Sequence, residues 1–106
     1  MKLLTQELIN RFAEVGSQEA EKNPLVIAKF FNPCGRGYWF ATEYNPTEKI
    51  FFGYVSLFGD YNDELGYFSL DELESIKTQP FGLGIERDRH FTETRLDEII
   101  KKYTKQ

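Results

Sequence analysis

Tyr38-Trp39-Phe40-Ala41-Thr42-Glu43-Tyr44, then Asn45-Pro46-Thr47-Glu48, then Ile50-Phe51-Phe52-Gly53-Tyr54-Val55-Ser56-Leu57: these stretches decide the fold. Two runs dense in aromatic and β-branched residues flank a cluster of turn formers, so they read as two strands of an antiparallel hairpin. Strand side chains alternate between faces. Trp39 and Ala41 therefore point one way and Phe40 the other, while Phe51 and Val55 oppose Phe52 and Tyr54. Both faces carry apolar residues, and a sheet with one wet face would alternate more cleanly. The expectation is that helices cover one face, and that a loop, a partner or a second copy partly covers the other.

Working outward, Leu25–Phe31 is an apolar run interrupted only by Lys29 and reads as a preceding strand. The turn signal Asn32-Pro33-Cys34-Gly35-Arg36-Gly37 separates it from the hairpin. On the other side Gly59–Asp63 breaks the chain before a fourth strand, Glu64–Phe68. Ser69-Leu70-Asp71-Glu72 is a capping box, which opens a short helix to about Ile76. Pro80 and Gly82 end that excursion, and Leu83–Phe91 reads as a fifth strand. At the chain's start Thr5 caps a helix over Gln6–Val15, with Leu4, Leu8, Phe12 and Val15 on one face and Gly16 as its stop. Ser17–Pro24 is a polar connector. Thr94 precedes Leu96, Ile99, Ile100 and Tyr103, the stripe of a final amphipathic helix. The result is an α+β fold: an antiparallel meander of about five strands, helices at both ends, and a short helix after the fourth strand. All 106 residues fit one domain.

Composition narrows the function classes. The single cysteine, Cys34, allows neither an intrachain disulfide nor a cysteine-based zinc cluster. No run has the apolar length of a signal peptide or a membrane span, so a cytoplasmic protein without membrane contact is expected. The net charge of −4 argues against a binder that works by neutralising phosphates, so nucleic acid is not the expected partner. Between Glu43 and Ile76 eight acids face one base, Lys49, which suits either a solvated face or a basic partner.

The segments Lys29-Phe30-Phe31-Asn32-Pro33, Trp39-Phe40-Ala41-Thr42-Glu43, Phe52-Gly53, Glu64-Leu65-Gly66-Tyr67-Phe68-Ser69-Leu70-Asp71-Glu72-Leu73 and Gly84-Ile85-Glu86-Arg87-Asp88 occur in that order. In these, and in the opening Met-Lys-Leu-Leu-Thr-Gln-Glu-Leu, the chain resembles the family known as domain of unknown function 2958. The resemblance implies a bacterial origin, often on mobile elements, and brings no activity, ligand or catalytic residue.

Few residues carry chemistry. Gly82-Leu83-Gly84-Ile85-Glu86-Arg87 begins like a dinucleotide fingerprint, but Arg87 stands where the third glycine belongs and a strand follows; no cofactor is expected. Cys34 beside Arg36 sits in a turn, with His90 as the only imidazole available to it, and reads as a turn residue rather than a nucleophile. In an extended Leu83–Phe91, Glu86, Asp88 and His90 share one face, with Arg87 on the other; Glu43 is the natural fourth member if its strand lies near. Such a group suits acid–base work or a divalent metal, but its spacing matches no recognised ligand pattern and no metal is expected. A charged strand edge that discourages edge-to-edge pairing explains it more simply. With Trp39 and Arg87, these residues form the candidate binding set. The preferred reading is a non-enzymatic interaction module with an acidic and aromatic surface, binding a protein or another copy of itself. The alternative is a small hydrolase or metal-dependent enzyme built on Glu43, Glu86, Asp88 and His90.

Overall fold

The computed structural model describes residues 2–57, 63–78 and 80–103. Helix α1 spans Gln6–Val15, as its cap and stop dictate: the Thr5 hydroxyl accepts the Leu8 N–H at 3.2 Å, and Gly16 ends the helix at φ +70°. The strands that follow are β1 (Leu25–Val26), β2 (Ala28–Phe31), β3 (Tyr38–Asn45), β4 (Ile50–Ser56) and β5 (Glu64–Ser69). Helix α2 (Leu70–Ser75) opens directly from β5, with the Ser69 hydroxyl accepting the Glu72 N–H at 3.2 Å. Then come β6 (Glu86–Arg87), β7 (Thr94–Arg95) and helix α3 (Leu96–Tyr103). The main sheet is antiparallel throughout, in the order β5-β4-β3-β2-β6, and the fold is α+β.

Two strands differ from expectation, and the last helix is capped from a distance. The first strand is broken at Ile27, whose N–H donates to the Ala41 carbonyl; Ile27 and Ala28 both pack into one core, so the alternation stops there. Its front part, β1, pairs with β7 in a separate two-stranded ladder. The fifth strand is cut from nine residues to Glu86–Arg87: before it Leu83 is held in an isolated bridge with Thr78, and after it the Asp88 carboxylate accepts the His90 N–H at 2.9 Å and turns the chain. Thr94 lies in β7, directly before the last helix, and the cap of that helix comes from Asn23, whose side-chain oxygen accepts the Asp97 N–H at 2.9 Å, while the Pro24 carbonyl takes the Leu96 N–H.

The sheet has two cores. On the first face Leu3, Leu4, Phe12, Phe30, Phe51, Phe68 and Leu73 pack together, so α1, the residues before it and α2 all cover this side. On the second face Val26, Phe40 and Tyr54 meet Leu96 and Ile99, with Tyr38 and Tyr103 against them. Helix α3 closes part of this face. The Tyr103 ring lies 4.8 Å from Tyr38 and 5.0 Å from Phe40, between centroids. Arg36 fixes the far end of α3 by donating to the Tyr103 carbonyl at 2.8 Å and to Ser56 Oγ at 3.0 Å. Its position over the carbonyl end of a helix is electrostatically favourable.

A bulge in β3 decides where the second face stays open. Ala41 pairs with Gly53 and Glu43 with Phe52, so Thr42 is the extra residue. The bulge reverses the alternation beyond it. Tyr44 turns into the first core, 4.7 Å from the Phe51 ring, and Glu43 turns onto the second face beside Phe52. Gly53 lies opposite this irregularity, where a Cβ would stand 1.8 Å from the Phe40 carbonyl oxygen. Only glycine fits so close an approach of backbones.

Candidate functional site

The residues singled out from the sequence do not gather in one place. Glu86 pairs with Phe31, which pairs with Tyr38, whereas Glu43 lies five residues further along β3. At about 3.3 Å per residue that separates them by roughly 16 Å along the sheet. Asp88 serves the turn: it accepts from His90 and lies 3.6 Å from Lys29 Nζ. Lys29 is itself held by the Tyr103 hydroxyl at 2.9 Å, and by the Tyr38 and Tyr103 rings, each 5.1 Å away. His90 is exposed beyond that turn. Arg87 donates to the Lys2 and Leu3 carbonyls and ties the chain's first residues to the sheet. Trp39 packs against the first core. Among the described residues no three of His, Cys, Asp and Glu are grouped so as to hold a metal ion. Cys34 Sγ lies 3.3 Å from Thr78 Oγ1, whose own proton is directed at the Leu83 carbonyl 2.7 Å away.

Glu43 leads to a different site. Its carboxylate accepts the Gln18 N–H at 3.2 Å, and Gln18 is a buried keystone that polarity alone hid. The Gln18 amide donates to the Leu25 and Thr42 carbonyls, both at 2.8 Å, and accepts the Leu25 N–H at 2.7 Å. The connector is thereby pinned across the bulge, and it forms one wall of a hollow of about 320 Å³. The floor is Phe52, Leu65 and Tyr67. Phe52 pairs with Tyr67 and Tyr54 with Leu65, so all lie on the second face, and Leu96 at the start of α3 borders the same hollow. The Phe52 and Tyr67 rings meet edge-on at 4.9 Å. Tyr67 is nonetheless 78% exposed and Leu65 50%, an unusual position for two large side chains in neighbouring turns of one strand face.

Acids surround this apolar floor. Glu19, Glu21 and Glu43 border the hollow together with Lys22. A second hollow on the other side of Tyr67 is lined by Glu43, Glu48, Tyr44 and Phe52. A third, along β5 itself, is lined by Asp63, Glu64, Leu65 and Tyr67. The surface joins exposed aromatic area to negative charge, a combination suited to an apolar anchor with cationic neighbours. The sequence showed both ingredients separately. It could not show the bulge that turns Glu43 toward Tyr67.

Another hollow, of about 630 Å³, lies between α1 and the turn after β6. Its most ordered feature is a two-pronged ion pair, Arg11 Nε and Nη2 to the two Glu93 oxygens, each at 2.8 Å. Arg11 also reaches Glu14 at 2.6 Å, so its charge is already matched from within the chain. No described helix is long and apolar enough to cross a membrane. Comparison with curated proteins and with solved structures found no match. The model of one family, described as a protein of unknown function (DUF2958), matches residues 3–105, nearly the whole chain, and the protein belongs to that family.

Proposed function

We propose that this protein is a non-enzymatic interaction module that binds a basic protein partner through the open half of its second sheet face. The observation that carries the reading is the exposed pair Leu65 and Tyr67, on a floor shared with Phe52 and bordered by Glu19, Glu21 and Glu43. Exposed aromatic side chains beside a pocket are the usual anchors of protein interfaces, and surrounding charge selects the partner and speeds encounter. The acidic rim disfavours a second copy of the same surface, because like charges would face each other.

The test is affinity purification with the wild-type chain and with Tyr67→Ala, Leu65→Ala and Glu43→Lys, followed by binding measurements on the purified partner. All three variants should lose at least tenfold in affinity, and the partner should carry a basic contact segment. Binding should weaken with added salt, as expected for exposed complementary charges. Thermal unfolding of Tyr67→Ala should match the wild type, since its side chain is mostly in solvent. Unchanged affinity in Tyr67→Ala and Leu65→Ala removes this surface from consideration.

A further inference from the structure

We infer that β5 is a docking strand, and that an extended basic segment of a partner adds to the sheet along Glu64–Ser69; this rests on the interaction reading above and specifies its mode. Strand β5 ends the sheet order, so no described strand pairs with its outer side. It is six residues long, against two for β6 at the opposite edge. Its pairing with β4 runs without a register shift from Val55↔Glu64 to Ile50↔Ser69. The Leu70 N–H continues the same ladder by donating to the Lys49 carbonyl at 3.0 Å.

That last bond fixes the phase of the ladder. Directly opposed residues in an antiparallel pair alternate between exchanging both hydrogen bonds and exchanging none. Counting back from Leu70 and Lys49, the bonded residues of β5 are Phe68, Gly66 and Glu64. Leu65 and Tyr67 therefore present their N–H and C=O groups away from β4, to the open side. These are the same two residues whose side chains stand exposed on the second face. An arriving strand would find main-chain donors, main-chain acceptors and two apolar contacts on one line, which is how strand addition obtains both affinity and specificity.

Edges are normally blunted by lysine, proline or a bulge. Strand β5, Glu-Leu-Gly-Tyr-Phe-Ser, has no lysine or proline, and its pairing has no bulge. Charge selects the occupant. The hollows that meet at Tyr67 are lined by Glu19, Glu21, Glu43, Glu48, Asp63 and Glu64, with Lys22 as the only base among the described residues that line them. A second β5 would bring the same acids into opposition, whereas a strand alternating lysine or arginine with apolar residues complements both the charge and the floor.

The experiment is amide hydrogen exchange read by NMR on the wild-type protein, with acetylated heptapeptides alternating lysine with valine or phenylalanine as probes. In the free protein the Leu65 and Tyr67 amides should exchange fast, while Gly66 and Phe68 are protected by β4. Saturating peptide should slow Leu65 and Tyr67 by at least about tenfold, as amides gaining a hydrogen-bond partner do, and glutamate-for-lysine peptides should not. Peptide binding that shifts Tyr67 and Phe52 signals without slowing these amides overturns strand addition, and leaves the surface itself as a binding site. No binding by any lysine peptide overturns the docking strand; the variants of the preceding section then decide separately on the surface. Protection that rises with protein concentration alone overturns the basic occupant in favour of a second copy.

Discussion

Gln18 bears more of the structure than its place in a polar connector suggests. Its side chain makes all three of the hydrogen bonds described for it inside the protein, to the Leu25 N–H and the Leu25 and Thr42 carbonyls. Removing the amide leaves those backbone groups without that partner in a site where the side chain is 6% exposed. Each such orphan costs about 1–3 kcal/mol, so Gln18→Ala should lower stability by about 2–4 kcal/mol in urea unfolding. Because Gln18 also holds the wall beside Glu43, the same variant should weaken partner binding beyond its effect on folding. Nothing in the sequence marked it, since a buried glutamine and a solvated one look alike until their partners are known. Lys29 is a similar case: it interrupts an apolar run without ending the strand, because two tyrosine rings and a hydroxyl receive its ammonium.

Elements were legible in proportion to how local their causes are. Helix α1 has its cap and stop within its own neighbourhood, and its span follows from the sequence at both ends. The Ser69 cap of α2 and the hairpin of β3 and β4 are local in the same sense. Helix α3 is not, since Asn23 supplies its cap from the other end of the chain. The fifth strand fails as an extended segment because Leu83 is held in a bridge with Thr78 before it and the Asp88 carboxylate turns back on His90 after it. The clustering of Glu86, Asp88 and His90 depended on that extension. Between α1 and the segment leading to β7, the Arg11–Glu93 pair gives a pH test. Hydrogen bonds from Arg11 hold the Glu93 carboxyl below its usual range, against a smaller opposing effect of burial. A depressed folded-state pKa contributes stability that is present above the unfolded value, about 4.3 for glutamate, and is lost as pH falls through the folded value. Wild type should therefore exceed Glu93→Gln in stability at neutral pH, and the gap should narrow as the solution is acidified below that value. A gap that stays constant down to the acid unfolding transition contradicts the pair's role.

At the scale of the whole molecule, the sheet is closed on one face by α1 and α2 and half closed on the other by α3. The aromatic runs announced two apolar faces, but not which helix would reach the second. Leu96 is the first residue of that cover and is 5% exposed among Val26, Phe40 and Tyr54. Leu96→Ala should cost about 2–4 kcal/mol of stability, the range for a buried leucine truncation, and calorimetry is the direct check. The division of this face also separates what the family can vary from what it must keep. Gly53 and the residues beneath α3 answer to packing, and an unchanging letter there reports the fold alone. Among the described residues, positions 65 and 67 answer to little besides the Phe52 ring beside Tyr67, because both residues stand largely in solvent. If relatives nonetheless keep a bulky apolar pair at those two positions, the constraint comes from another molecule; if they vary freely with charge preserved around them, partners have diverged while the scaffold stood still.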